Sequence, residues 1–283
     1  MLSDSQRNVL LIILAAILWS SSGLLVKVIT WSPLAILGAR SLIASGVFLL
    51  YLRRWPRRIT RWQMAGAAGY LGAQFFFITA TKLTTAANAI FLQYTAPVYV
   101  SVLAYWLLGE RPHRADWLTM AVIFVGLGLF FGDQLSLTGA LGNGAAILSG
   151  VAMALMTVSL RAQKSGTPAE TILIGNLLGT VLALPAALQE TWSPPNVAIL
   201  LYLGLFQIGL SFILYSVAIR RVPALQATLL STLEPILNPV WVFLALGETP
   251  GPLALLGGAL VLAAVAARAA SRGSPASPAE AAL

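Results

Sequence analysis

Long apolar stretches alternate with short polar segments along the whole chain. A helix that crosses a bilayer needs about 20 mostly apolar residues, with a range of roughly 17–25. The polar segments are short and rich in Pro, Gly and Arg, and they leave no room for a soluble domain. The pattern therefore predicts an all-α polytopic membrane protein with ten spans, which we number in chain order: 9–26, 34–52, 63–81, 85–107, 115–131, 138–160, 168–188, 197–218, 224–246 and 252–269.

Composition supports membrane residence and narrows the chemistry. Of the 283 residues, 58% are hydrophobic and only 9% are charged, whereas a soluble domain is about 25% charged. Cysteine is absent, and the single histidine, His113, lies in a short polar loop. Disulfides and cysteine-ligated metals are thus excluded, and a His-based catalytic group or metal cluster is disfavoured. No Gly-Lys-Ser/Thr phosphate loop is present, so an ATP-driven pump is disfavoured. We predict no metal, no cofactor and no enzyme.

The basic residues predict the orientation, since short cytoplasmic loops carry an excess of Lys and Arg. With the N-terminus in the cytoplasm, 14 of the 17 Lys and Arg residues fall on the cytoplasmic side; Lys27 and Lys82 lie outside, and Arg40 lies inside span 2. Both termini are then cytoplasmic, which requires an even number of spans. The net charge of +8 is explained by membrane insertion, so we predict the lipid bilayer, and no nucleic acid, as a partner.

The two ends of the chain need separate interpretations. The apolar run that starts at Val9 continues past Val26 without a small-residue cleavage site, so we interpret it as a retained first span rather than a signal peptide. The tail 272–283 is rich in Ser, Pro and Ala and is predicted to be a disordered cytoplasmic segment.

An internal repeat appears when the chain is shifted by 138 residues against itself. Pro97 then falls on Pro235, and Gly109-Glu110-Arg111-Pro112 falls on Gly247-Glu248-Thr249-Pro250 without a gap. Spans 3–5 thus resemble spans 8–10, which predicts two five-span halves, 1–135 and 136–271. Because five is odd, the halves must cross the membrane in opposite senses. Inverted repeats are typical of secondary transporters, although a duplication without transport would leave the same pattern.

Several motifs resemble the EamA-type branch of the drug/metabolite transporter superfamily. They are Trp19 to Gly23 with Lys27 eight residues after the tryptophan, the lone Arg40 of span 2, and Leu233-Glu234-Pro235 followed by Gly247-Glu248. Ser20 and Ala96 depart from the family pattern, which usually has Gly and Glu there. The resemblance implies a ten-helix protein of the bacterial inner membrane with both termini inside. It also implies export of amino acids, including aromatic ones, by alternating access, and a homodimer formed through spans 5 and 10.

Glu234 is the strongest candidate for a functional-site residue. It lies about 15 Å into span 9, where an ionised group costs about 2.5–3.5 kcal/mol. Pro235 removes a backbone donor and frees the carbonyl of Ser231, and Pro239 follows one turn later. We predict that Glu234, Ser231 and Asn238 share one face of a bent helix and receive an ammonium group or exchange a proton. The alternative is that Glu234 only fixes helix packing.

Arg40 is the other ionisable group in the apolar interior. It could pair with Glu234, bind a substrate carboxylate or extend outward to the polar boundary. Since the family often carries this arginine, we favour a structural role.

The repeat predicts an opposing wall in span 4, where Ser231 maps to Gln93 and Glu234 maps to Ala96, with Tyr99 on the same face. Pro97, Pro235 and Pro239 are predicted helix kinks. The remaining pathway candidates, polar or aromatic residues of spans 1, 3, 4 and 8, are Trp19, Ser21, Ser22, Gln74, Phe77, Asn88, Gln207 and Ser211. For Trp19, a position at the membrane interface is the open alternative to lining the pathway. For the other candidates, interhelical hydrogen bonding or lipid contact is the alternative. The small-residue pairs Gly126-Leu127-Gly128 and Gly257-Gly258 predict close packing of spans 5 and 10.

Two other functions remain open. A carrier could move a drug, a nucleotide sugar or a lipid intermediate, although a nucleotide sugar would require several cations in the cavity, where only Arg40 is available. An intramembrane enzyme is the alternative from another class; it would need a metal cluster or a Ser/His pair within the membrane, and the spans hold neither.

Overall fold

The computed structural model describes residues 3–21, 25–26, 29–55, 59–84, 86–132, 139–163, 167–237 and 251–270. This part of the chain is helical and contains no strand. We number its helices in chain order: α1 Asp4–Ser20, α2 Pro33–Leu52, α3 Arg61–Leu83, α4 Ala86–Gln93, α5 Ala96–Leu108, α6 Arg114–Phe131, α7 Ala140–Ala162, α8 Pro168–Ala187, α9 Pro194–Tyr202, α10 Ser211–Ala218, α11 Ala224–Ser231 and α12 Pro252–Ala270.

Four predicted spans are not continuous α-helices over their described residues. In span 1, α1 ends at Ser20 and a turn follows at Ser21. Span 4 is divided into α4 and α5. Span 8 consists of α9, a π-helical segment Leu203–Leu210 and α10. Span 9 begins as α11, and after a turn at Thr232 a short helical stretch covers 233–237; the rest of this span lies outside the described residues.

Five helical stretches of the described residues are long and apolar enough to cross a membrane: Pro33–Leu52, Ala89–Leu108, Ala140–Ala162, Pro168–Ala187 and Pro194–Ala218. A shorter apolar stretch, Leu255–Ala267, belongs to α12. Together with the composition, these helices make the chain a multi-pass membrane protein.

Local sequence determines where the helices start. Ser32 accepts a hydrogen bond from the backbone N–H of Ala35, and Pro33 fills the first turn of α2. Reciprocal capping bonds join Thr60 and Gln63 at α3 and Thr167 and Glu170 at α8. Such caps satisfy backbone N–H groups that have no partner within the helix.

The packing of the helices follows the internal repeat. In the repeat, each span of one half corresponds to the span five places away in the other half. Exchanging corresponding spans converts the pair α3 and α7, which pack on each other, into the pair α10 and α1, which also pack on each other. The same exchange leaves three pairs unchanged: α2 with α8, α6 with α12, and α5 with α11. The two halves are therefore arranged as structural equivalents around a shared interior.

Polar contacts join the loops at each end of the bundle. At the end predicted to be cytoplasmic, Arg54 pairs with Glu170 (3.1 Å) and Arg161 pairs with Glu110 (2.7 Å). At the opposite end, Ser32 donates its backbone N–H to Glu190 (2.8 Å). There Thr84 also donates its hydroxyl to Asn143 (2.8 Å). Each group of contacts joins segments that the charge pattern predicts to lie on the same side of the membrane.

Helices α6 and α12 pack closely at glycine. A Cβ atom at Gly126 would lie 2.7 Å from Val261 Cγ2, and one at Gly257 would lie 2.6 Å from the backbone nitrogen of Phe130. Gly258 also faces Phe130, whereas a Cβ at Gly128 would have no described residue within 4 Å. The predicted small-residue packing is confirmed within the chain for Gly126 and Gly257, and no described residue packs against Gly128.

Candidate functional site

The two helix breaks fall at equivalent positions of the repeat. Residues 94 and 95 form the turn between α4 and α5, and residue 232 forms the turn after α11; a shift of 138 places residue 232 on residue 94. Each break begins three residues before a proline, Pro97 in the first half and Pro235 in the second. The predicted interruptions at these prolines are therefore present, while Pro239 lies outside the described residues.

Tyr94 connects the two breaks. Its hydroxyl lies 2.7 Å from Glu234 Oε2 and 3.2 Å from the carbonyl oxygen of Ser231. This is the carbonyl that Pro235 deprives of its helical donor. Tyr94 and Ser231 are almost fully buried, and Glu234 is half-buried. The structure thus places Glu234 and the Ser231 carbonyl beside the same hydroxyl, while the third predicted member, Asn238, lies outside the described residues.

Gln93 and Tyr99 form contacts within the first half of the chain and with α7. Gln93 donates to the hydroxyl of Ser149 on α7 (2.7 Å), which in turn donates to the carbonyl of Ala73 on α3 (2.8 Å). The Tyr99 hydroxyl lies 3.4 Å from Thr95 Oγ1. Gln93 therefore serves as an interhelical link in this structure, which is the packing alternative for that residue.

Arg40 is buried and has a neutral partner. Its Nη2 donates to Gln74 Oε1 at 2.8 Å and joins α2 to α3. Its Nε, which is also buried, has no hydrogen-bond partner among the described residues. No ion pair joins Arg40 to Glu234, although both lie in the described part of the chain. The contact with Gln74 is what a structural role requires, yet the charge of Arg40 has no acidic partner within the described chain.

An aromatic cluster of Trp19, Tyr70, Phe212 and Tyr215 fills the interior between α1, α3 and α10. The ring centre of Phe212 lies 4.8 Å from that of Trp19 and 5.2 Å from that of Tyr70, and Trp19 lies 5.3 Å from Tyr215. Trp19 is 6% exposed, and its Nε1–H has no partner among the described residues. The structure therefore places Trp19 in the core rather than at a membrane interface.

The other predicted residues are dispersed. Ser21 accepts a hydrogen bond from the Tyr202 hydroxyl (3.1 Å). Phe77 packs in a small apolar cluster with residues of α4 and α7. In span 8, Ser211 donates to the carbonyl of Gln207 in the preceding turn, and Gln207 Oε1 is buried without a partner in the described chain.

Two further candidates lie beyond what the structure describes. Ser22 is outside the described residues, and for Asn88 only the backbone is described, as part of α4.

Tyr94 was missed because the opposing wall was taken from the repeat, which maps Ser231 to Gln93 and Glu234 to Ala96, and from helical spacing, which adds Tyr99 three residues after Ala96. That spacing holds only within one continuous helix. Because α4 ends at Gln93 and α5 begins at Ala96, the register is lost between them. The available signal was the position of Tyr94 three residues before Pro97.

A clamp of polar contacts lies at the end of the bundle beyond α5. Glu110 accepts hydrogen bonds from Arg161 Nε (2.7 Å) and from the backbone N–H of Ala224 at the start of α11 (3.0 Å). Arg161 also donates to the carbonyl of Arg220. We call these four residues the Glu110 clamp.

A cavity of about 230 Å³ lies beside the Glu110 clamp. Its lining includes Ser101, His113, Asp116 and Gln226 together with Glu110. The clamp and the cavity occupy the junction of α5, α7 and α11.

Comparisons with known proteins agree on one family. The profile of the EamA-like transporter family matches the chain twice, over residues 6–132 and 140–267. An uncharacterized transporter, YwfM of Bacillus subtilis (strain 168), is 26% identical over 275 residues, which cover 89% of this chain and 90% of that protein. One solved crystal structure shares the fold with a TM-score of 0.78 and 21% identity, over 94% of this chain and 96% of that one.

Two similar proteins carry names that describe export. The threonine/homoserine exporter RhtA of Escherichia coli (strain K12) is 25% identical over 227 residues, covering 77% of this chain and 75% of that protein. A probable terminal-alkyne amino-acid exporter of Streptantibioticus cattleyicolor is 31% identical over 211 residues, covering 71% and 70%.

Proposed function

We propose that this chain, which belongs to the EamA-like transporter family, exports amino acids, including aromatic ones, across a bacterial inner membrane by alternating access. Membership of the family makes the chain a membrane transporter, and two of its relatives are named as exporters of amino acids. The observation that carries the proposal is Glu234, held on a broken helix beside the freed carbonyl of Ser231 in an apolar interior.

The chemistry of this site suits a primary ammonium group. An ammonium has three donors and no acceptor, so it can bond the carboxylate of Glu234 and the carbonyl of Ser231 together. An amino acid also carries a carboxylate, and Arg40 offers a buried positive charge without an acidic partner in the described chain. A zwitterionic amino acid therefore carries an ammonium group that suits Glu234 and a carboxylate that suits Arg40.

The fold supports alternating access. Ten spans with both termini in the cytoplasm are part of the proposal, and the separation of loop contacts into two groups supports it. Because the packing scheme is unchanged when the halves are exchanged, the halves can exchange conformations and open a central site to either side. The Glu110 clamp ties three helices at the end predicted to be cytoplasmic, as an arrangement closed on that side requires.

Counterflow in proteoliposomes tests this function. Vesicles that contain the purified protein are loaded with unlabelled threonine or phenylalanine and diluted into the labelled amino acid. A carrier of amino acids gives transient, saturable accumulation of label that empty vesicles lack. Absence of counterflow for every amino acid, together with counterflow of a drug, a nucleotide sugar or a lipid intermediate, would replace the proposed substrate class. Chemical conversion of the substrate without exchange would instead indicate an enzyme.

A further inference from the structure

Tyr94 has two acceptors and one proton to donate. The hydroxyl lies within hydrogen-bond distance of Glu234 Oε2 (2.7 Å) and of the Ser231 carbonyl (3.2 Å). A phenol donates a single hydrogen bond. An ionised carboxylate has no proton of its own, so the hydroxyl of Tyr94 must then serve either Glu234 or Ser231. Leaving a buried acceptor without a partner is costly.

Protonation of Glu234 changes this count. A neutral carboxylic acid donates one hydrogen bond, so it can donate to the Tyr94 oxygen while Tyr94 donates to the Ser231 carbonyl. Both acceptors are then satisfied. With Glu234 ionised, the shorter contact and the stronger, charge-assisted bond draw the Tyr94 proton to the carboxylate, and the Ser231 carbonyl loses its donor.

We propose that Tyr94 is a positioning residue that ties the two helix breaks together, and that the proton on Glu234 decides whether the tie reaches the backbone of α11. Tyr94 belongs to the break of the first half, and Ser231 and Glu234 belong to that of the second. The tie thus lies where halves that exchange conformations would have to move relative to each other. This inference deepens the proposed function and rests on it for the link to transport.

Among the described residues, Tyr94 is the titratable side chain that hydrogen-bonds Glu234. The helices packed on α11 are α1, α5, α6, α7 and α12. The charged residues of these helices all lie in their first or last turns: Asp4, Arg7, Arg114, Asp116, Arg161 and Arg268. Helix α5 also contributes Tyr99 and Tyr105. Among the described residues, only Tyr94 hydrogen-bonds the Glu234 carboxylate, and no cation lies within ion-pair distance of it.

The first test is the pH profile of amino-acid exchange for the wild type, Glu234→Gln, Tyr94→Phe and the control Tyr105→Phe. Tyr105 is a half-exposed tyrosine of α5. We expect the wild type and Tyr105→Phe to share one pH-dependent profile and Glu234→Gln to be flat. Tyr94→Phe should change the pH response although Glu234 is present, because the tie that depends on the Glu234 proton is gone, and its exchange should slow roughly tenfold or more. A wild-type profile in Tyr94→Phe would overturn the proposal.

A second test needs no transport. Replacing Pro235 by Ala restores a backbone N–H that can donate to the Ser231 carbonyl, as in an uninterrupted helix. Thermal unfolding of purified protein, at a pH low enough to protonate Glu234, is then compared for the wild type, Tyr94→Phe, Pro235→Ala and the double variant. We expect the double variant to regain most of the stability that Tyr94→Phe loses. Strictly additive effects would show that Tyr94 does not serve this carbonyl.

The two tests separate failure of the tie from failure of the proposed function. Coupling between Tyr94 and Pro235 without any amino-acid exchange in the wild type would leave the tie standing and remove the substrate class. Amino-acid exchange in the wild type together with additive unfolding effects would support the substrate class and rule out the tie.

Discussion

At the residue scale, polar residues that stand out in an apolar sequence are easier to predict than the residues that they contact in the structure. Glu234 and Ser231 could be singled out because a carboxylate beside a proline is rare within an apolar span, and the structure places the two together. Tyr94 could not be predicted from helical spacing, because the break at 94–95 separates two helical registers. The aromatic cluster around Phe212 was also missed, since aromatic residues are common in all membrane spans.

The carboxylate of Glu234 gives the prediction that belongs to this scale. Glu234→Gln keeps the shape of the side chain and its hydrogen bond with Tyr94, but it removes the negative charge. We expect amino-acid counterflow at least about tenfold slower, because a charge-assisted bond to the ammonium group is replaced by a neutral one. Counterflow at equal protein density in the vesicles measures this. An unchanged rate and pH dependence would confine Glu234 to helix packing.

At the scale of helices, prolines predict interruptions but do not predict every irregularity. Pro97 and Pro235 each lie three residues after the start of an observed break. The π-helical segment Leu203–Leu210 contains no proline, so no local residue marks it. Its glycines, Gly204 and Gly209, instead pack against Ile43 and Val47 of α2. That contact depends on which helix is the neighbour, and the sequence does not state this.

Packing of α6 on α12 provides a paired test of the glycine contacts. A methyl group at Gly126 would collide with Val261 and with the backbone of α12, whereas at Gly128 it would have no neighbour among the described residues. We expect Gly126→Ala to destabilise the protein by about 1–3 kcal/mol. Gly128→Ala should be neutral or stabilise it by about 0.4–1 kcal/mol. Thermal unfolding in detergent compares the two variants, and equal melting temperatures would contradict the packing described here.

The Glu110 clamp predicts a change in access to the interior. Arg161→Gln removes the pairing with Glu110 and weakens the bond to the Arg220 carbonyl, while the bond of Glu110 to Ala224 remains. We expect a cysteine placed at Ser101, in the cavity beside the clamp, to react about two- to tenfold faster with a maleimide applied from the cytoplasmic side. The factor is modest because Arg161 and Glu110 are each about a quarter exposed (26% and 25%).

Arg54→Gln is the matched control for the clamp. It removes an ion pair with Glu170 at the same end of the bundle, but Glu170 lies on α8 and not on α5 or α11. An equal increase in cysteine reactivity in both variants would show a general loosening of that end rather than opening of the clamp.

At the scale of the whole molecule, the internal repeat is the property that the sequence predicts best. A shift of 138 residues aligned the prolines and the Gly-Glu motifs, and the structure contains equivalent breaks and an exchangeable packing scheme. The identity of the packing partners, α3 with α7 and α2 with α8, was beyond prediction because lipid-facing and helix-facing residues are both apolar. A homodimer through spans 5 and 10 stays a prediction.

Opposite orientation of the two halves is the claim on which the transport account depends. The chain has no cysteine, so single cysteines can be introduced without other changes. We would place one at Arg111 and one at Thr249, which occupy the same position of the repeat, and label each from the outside of intact cells with a membrane-impermeant maleimide. The account predicts that position 249 is labelled in intact cells and position 111 only after the membrane is opened. Labelling of both positions from the same side would contradict it.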